Sequence, residues 1–175
     1  MRLQALIHLT EAVRALSGSQ RIRVLGSSAL LARFPELGEG GGPLELSFDA
    51  DLLVEPCDED MAALLHEAVG EGSLFARRSG YHADILRPQV SEALPPGWEQ
   101  RVIPLSGAGG VAALAPEDLV VVKLRTGRPK DLDLCQCLMR RGLVNAEDIR
   151  ARLDAIPMPD GEVLSVYARL KEVTS

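Results

Sequence analysis

Phe48-Asp49-Ala50-Asp51-Leu52-Leu53-Val54 is the stretch on which the reading of this chain turns. Its second half is a run of apolar, strand-favouring residues, and its first half carries two aspartates separated by one alanine. The run predicts a strand over Leu44–Val54. On a strand, residues i and i+2 project to the same side, so Asp49 and Asp51 share one face. Two carboxylates a few ångströms apart repel unless a cation lies between them. In phosphate chemistry that cation is Mg²⁺, held by one or two carboxylates together with substrate oxygens. An isolated D-x-D is also what two solvated acids near a strand end look like, so the surrounding residues have to decide.

Upstream, Arg21–Leu25 predicts a short strand with Ile22 and Val24 on one face, and Gly26-Ser27-Ser28 follows it, opening a helix over Ala29–Phe34. Glycine lets backbone approach a ligand closely. Serine hydroxyls and the free N–H groups of a helix start can take phosphate oxygens, although a serine there is also an ordinary N-cap. Further upstream, Leu6, Leu9, Val13 and Leu16 recur at helical spacing within residues 3–16. Pro35–Pro43, with four glycines, predicts a mobile loop.

Downstream, Asp58 predicts the cap of a helix reaching Gly70. Phe75–Arg78 and Tyr81–Leu86 read as a hairpin around Ser79-Gly80, which places Asp84 on a strand. Beside Asp49 and Asp51 it would make a third acid, able to complete a two-metal site or to act as a base. His82 is read as facing away from Asp84 and as structural. A Pro-rich stretch, Pro88–Gly97, precedes the single tryptophan, Trp98, and Arg101–Leu105 predicts another strand. Helices are then expected over Pro116–Gly127, Asp131–Arg141, Ala146–Leu153 and Gly161–Lys171. The organisation is an α/β (α+β) core over residues 1–115, a mixed sheet flanked by helices, followed by a helical segment over 116–175 packed on it.

Together, Gly26-Ser27-Ser28, Asp49-x-Asp51 and Asp84 resemble the signature of the nucleotidyltransferase-like superfamily, which includes DNA polymerase beta, minimal nucleotidyltransferases and AbiEii-type toxins. Three later segments are similar to bacterial nucleotidyltransferase-like proteins of uncharacterised role: Leu94-Pro95-Pro96-Gly97-Trp98-Glu99-x-Arg101, Leu114-x-Pro116-Glu117-Asp118-Leu119, and Lys123-Leu124-x-x-Gly127-Arg128-x-Lys130-Asp131. The resemblance spans about residues 20–142. It implies that Asp49, Asp51 and Asp84 hold one or two Mg²⁺ ions and that Gly26, Ser27 and Ser28 meet the triphosphate. It also implies that Lys123, with Arg128, handles the nucleotide. The segment between Ser28 and Asp49 is longer than usual for such proteins, and its glycine loop invites reading as a lid. Read physically, Lys123 lies in an apolar helix and needs a partner, with Asp49, Asp51 or a triphosphate as candidates.

Composition narrows the function. Apolar residues make up 46% and charged residues 25%, an ordinary globular balance. Aromatics are 3% and the net charge is −6, both of which argue against an extended nucleic-acid surface. Three cysteines without framework spacing argue against a disulfide scaffold, and Cys135 and Cys137 read as inert thiols. No apolar run approaches the ~20 residues of a membrane span. The expectation is a cytoplasmic enzyme that transfers a nucleoside monophosphate from an NTP to a hydroxyl, possible as part of a toxin–antitoxin pair. The alternative is a silent nucleotide-binding or protein-interaction module with a protein partner. A phosphohydrolase is a third reading, but the chain shows no nucleophilic-aspartate context for it.

Overall fold

The computed structural model describes all residues, 1–175. Its contacts divide the chain into two compact units, Met1–Val90 with Arg101–Leu114, and Ser91–Gln100 with Ala115–Ser175. The second unit thus begins one residue before the expected boundary and also takes in the Pro-rich stretch before Arg101.

The first unit is built on a five-stranded mixed sheet. Helix α1, Leu3–Ser17, is amphipathic and buries Leu6, Leu9 and Val13, while Leu16 stays exposed. Gly18 ends it in the left-handed region, φ 66°, with its N–H returned to the Arg14 carbonyl. Strand β1, Arg21–Val24, buries Ile22 and Val24 completely, each worth about 1.5–3 kcal/mol of transfer free energy. Strand β2 is Asp49–Glu55, shorter than expected at its start because Leu44–Leu46 form a turn. The intervening residues form two 3-10 turns, Ser27–Ala32 and Pro35–Gly38. The glycine loop is not a free lid. Leu37 is fully buried, Leu44 N–H donates to the Leu37 carbonyl at 2.9 Å, and a Cβ on Gly38 would fall 2.2 Å from the Met1 carbonyl oxygen.

Helix α2, Glu59–Val69, is capped by the Asp58 carboxylate, which accepts from Met61 N at 2.8 Å. The expected hairpin at residues 75–86 is absent. Leu74–Ser79 is a short helix, α3, and β3, His82–Ile85, runs parallel to β2. A parallel neighbour cannot be reached by a tight turn and needs a crossover, here α2 and α3. The local signals were for a helix: Ser73 caps by accepting from Ala76 N, and Gly80 closes at φ 83°. Two short strands complete the sheet, β4 (Ile103–Pro104) and β5 (Val111–Ala113). The strand order is β3-β2-β1-β5-β4, with β1 antiparallel to β2 and parallel to β5. The sequence reading missed β5 because Val111-Ala112-Ala113 is too short to show a period.

The second unit is helical. It contains α4 (Pro116–Thr126), α5 (Pro129–Arg140), α6 (Ala146–Asp154) and α7 (Asp160–Val173). Helix α4 touches the other three and is buried along nearly its whole length. Its carbonyl end is closed by Gly127 at φ 66° and by Arg169, whose Nη1 donates to the Leu124 and Arg125 carbonyls at 2.8 and 3.0 Å. The Pro-rich stretch belongs here because Leu94 and Trp98 are buried and Arg125 Nη1 donates to the Ala93 carbonyl. No helix is long and apolar enough to cross a membrane.

Candidate active site

Asp51 and Asp84 stand opposite each other in the parallel β2–β3 register, and Asp49 stands opposite His82. Between them Ala50 faces Ala83, and both alanines are fully buried. Alternation therefore sends the alanines into the core and Asp49, Asp51, His82 and Asp84 to the other face. The two small alanines leave the core side of this pair featureless, and all the polar chemistry lies on one side. The expectation that Asp84 joins the aspartate pair on a neighbouring strand is what the register shows.

His82 departs from its expected place. Residues 82 and 84 are two apart on a strand, so they share a face, and His82 Nε2 lies 3.8 Å from Asp84 Oδ1. The imidazole is largely shielded, at 18% exposure, while the Asp84 side chain is about half exposed at 49%. Asp49 is exposed, Asp51 is half-buried, and Ser47 Oγ donates to Asp49 Oδ1 at 3.4 Å.

Gly26 meets this face directly. Leu25 N–H donates to the Asp51 carbonyl at 2.9 Å, which extends the β1–β2 ladder by one step and brings Gly26 against the Asp51 side chain. A Cβ on Gly26 would lie 1.7 Å from Asp51 Oδ2. Gly26 has an extended backbone, φ −86° and ψ −165°, which any residue adopts. Glycine is needed here for space: only a hydrogen fits beside the carboxylate.

The two serines behave differently from N-caps. Gly26 is the capping residue of the Ser27–Ala32 turn, and no side chain caps it. Ser27 is half-buried, whereas Ser28 is 1% exposed and its Oγ has no hydrogen-bond partner. A buried hydroxyl left unpaired costs about 1–3 kcal/mol, so this position is not explained by helix capping.

Lys123 and Arg128 lie in the helical unit and have a common partner there. Lys123 Nζ is 2.5 Å from Asp131 Oδ1, and Arg128 Nε is 2.6 Å from Asp131 Oδ2. The partner of the buried ammonium is thus Asp131, in place of the Asp49 or Asp51 expected from the sequence. Burial would raise the Asp131 pKa, and the hydrogen bonds and charges of Lys123 and Arg128 overcome this and hold it below the ordinary 3.8. Nearby, Arg152 Nη1 reaches Glu117 Oε2 at 3.4 Å and Asp118 Oδ1 at 3.5 Å, which ties α6 to the first turn of α4. Cys135 is fully buried, and burial pushes its thiol up to about 12.

Asp49, Asp51 and Asp84 all present carboxylate oxygens, the hard ligands that Mg²⁺ prefers, and the missing side chain of Gly26 leaves room for the Asp51 carboxylate where it stands. No three acid, histidine or cysteine side chains are drawn together tightly enough to form a metal cage by themselves. Magnesium does not need one, since it keeps waters and shares substrate phosphates. The residues fit the ion.

The mixed sheet, the acids facing each other across two parallel strands and the Gly-Ser-Ser turn beside them agree with the nucleotidyltransferase-like class that the sequence resembles. The chain belongs to a family described as nucleotidyltransferase of unknown function (DUF6036), whose profile matches residues 4–157. No curated protein and no solved structure gave a significant match.

Proposed function

We propose that the chain is a magnesium-dependent enzyme that moves a nucleoside monophosphate from a nucleoside triphosphate to a hydroxyl-bearing acceptor. The observation that carries this reading is the β2–β3 register, which sets Asp84 opposite Asp51 on the face that also holds Asp49. Asp49 and Asp51 would hold Mg²⁺, and Asp84 would complete the ligand set or take the acceptor proton. Magnesium bound there would neutralise charge along the triphosphate and polarise its phosphoryl oxygens. Gly26 leaves the Asp51 carboxylate room on this face, and Ser27 offers a hydroxyl to the phosphates from the adjoining turn. Asp84, with one oxygen turned toward His82, accepts the acceptor's hydroxyl proton as the new P–O bond forms and pyrophosphate leaves.

The acceptor is a hydroxyl of a protein, an RNA end or a small molecule, and a toxin-type role corresponds to the first two. The work belongs in the cytoplasm, where triphosphates are. Lys123 and Arg128 are not needed for phosphate contact in this reading, because Asp131 takes both.

Calorimetric titration of Mg²⁺–NTP into wild type, Asp49→Asn and Asp51→Asn tests the proposal. Each variant is expected to keep its fold, since removing one of two neighbouring like charges relieves repulsion, and to lose Mg²⁺-dependent binding. Unchanged affinity in both variants would overturn the metal role.

A further inference from the structure

Each acid on the β2–β3 face has a neighbour that bears on its carboxylate. Ser47 Oγ donates to Asp49 Oδ1, and Gly26 lies against Asp51 Oδ2 with room for no side chain of its own. Asp84 has His82, two residues earlier on the same strand and so on the same face, with Nε2 3.8 Å from Oδ1. Asp84 is the acid that most needs such a neighbour. Strand β3 is at the edge of the sheet, with no strand beyond it, and the Asp84 side chain is about half exposed. A carboxylate at an open edge exchanges among rotamers unless another group holds it.

His82 is better anchored than its partner. Its backbone N–H donates to the Phe48 carbonyl at 2.9 Å, and the register sets it directly across from Asp49. The next residue, Ala83, is fully buried, and the imidazole itself is mostly shielded from solvent. The ring is therefore the fixed member of the pair and the carboxylate the freer one. An ionised carboxylate only accepts hydrogen bonds, so Nε2 meets Oδ1 as the donor. The 3.8 Å contact is longer than a hydrogen bond, and a movement of about 1 Å brings it into range. Hydrogen bonds between catalytic groups commonly tighten in this way when substrate binds.

We infer that His82 is a positioning residue: its Nε2–H takes Oδ1 of Asp84 and so turns Oδ2 toward the acceptor hydroxyl. The inference rests on the nucleotidyltransferase reading above and adds to it the group that aims Asp84 as proton acceptor. The two oxygens of Asp84 then have different tasks. Oδ1 is held, and Oδ2 receives the proton as the acceptor oxygen bonds to phosphorus and pyrophosphate leaves. His82 acts only through Asp84 and touches neither nucleotide nor acceptor. Its loss slows transfer without loosening Mg²⁺–NTP, which Asp49 and Asp51 hold.

The test follows α-labelled ATP, GTP, CTP and UTP into total cell extract with Mg²⁺, using the full chain and three variants. His82→Phe keeps a flat ring and removes both nitrogens. His82→Gln keeps an N–H donor at a reach similar to Nε2. Asp84→Asn removes the proton acceptor. Hydrogen-bond partners of ligating groups in metal sites are worth about ten- to a hundredfold in activity. His82→Phe is expected to slow transfer at saturating NTP by that factor and to leave the NTP concentration for half-maximal rate unchanged. His82→Gln should recover most of the loss, and Asp84→Asn should be at least as slow as His82→Phe. If His82→Phe transfers like wild type, or His82→Gln is as slow as His82→Phe, the donor has no role and the inference falls while the acidic site stands. A defect seen only in the half-maximal NTP concentration would make His82 a nucleotide-binding group and overturn the inference, as would an Asp84→Asn variant faster than His82→Phe. If wild type moves no α-label, the nucleotidyltransferase reading itself fails and the inference with it. Circular dichroism checks each variant's fold, and His82→Leu replaces His82→Phe if the phenylalanine variant is unfolded.

Discussion

Among single residues, Gly26 stands tightest against the acidic face. Its Cα hydrogen faces the Asp51 carboxylate across a gap that a methyl group would close to 1.7 Å. The colliding atom ends a short side chain, so Gly26→Ala is expected to rotate Asp51 out of place and leave the fold standing. Off-rotamer displacement of one side chain costs about 0.5–1.5 kcal/mol, and thermal unfolding should show a loss of that order. Mg²⁺–NTP affinity should be lost alongside it in calorimetry, because Asp51 no longer presents the same oxygen. Loss of stability with intact affinity would make the glycine a packing residue only. The Gly-Ser-Ser motif was legible in the sequence as a turn between strand and helix. Its reason was only partly legible, since a sequence shows that glycine permits close approach but not which side chain approaches. The same limit explains His82. Its placement follows from period-two alternation once counted from Asp84, and the structure puts it 3.8 Å from that carboxylate.

At the element scale, Asp131 joins α4 to the start of α5. It is 3% exposed and holds Lys123 and Arg128 on its two oxygens. Asp131→Asn leaves a buried ammonium with a neutral partner, and breaking such a pair costs about 3–5 kcal/mol. The double variant Lys123→Met/Asp131→Leu removes both charges and is expected to recover most of that loss in chemical denaturation. If the double variant is no better than Asp131→Asn, the pair is not the source of the cost. Lys123→Met alone should leave Mg²⁺–NTP titrations unchanged, and a lost titration would return Lys123 to the phosphates. The depressed Asp131 pKa also has a pH consequence. Its stabilisation is fully present above the unfolded carboxylate value of about 3.9 and is lost as pH falls from there through the lower folded value. Acid unfolding followed by circular dichroism should therefore be steeper below about pH 4 in wild type than in Asp131→Asn. Elements with long periodic patterns or strong caps, such as α1, α2 and α4, were readable in advance. Strand β3 was readable too, but α3 before it was not, because Ser79-Gly80 serves a helix C-terminus as well as a hairpin turn, and the parallel pairing of β3 to β2 is a long-range choice.

At the scale of the whole molecule, the chain distributes its work between two compact units. Asp49, Asp51, His82, Asp84 and the Gly-Ser-Ser turn all belong to the sheet unit. The Trp98, Pro116–Asp118 and Gly127–Asp131 motifs belong to the helical unit, where burial, Arg152 and Asp131 account for them. The sequence patterns pointed to both sets, but spacing could not say that Lys123 is answered by Asp131 from eight residues away on the next helix. The family matched over residues 4–157 is described as nucleotidyltransferase of unknown function, and the proposed role of the acids on β2 and β3 would give that description a chemical basis. Pure protein, Mg²⁺ and total cell extract are incubated in parallel with NTP labelled at the α-phosphate and with NTP labelled at the γ-phosphate. Label should enter an acceptor from the α-position only, with release of pyrophosphate, and should vanish in Asp51→Asn. Transfer of the γ-label, or α-labelling that survives in Asp51→Asn, would contradict the account.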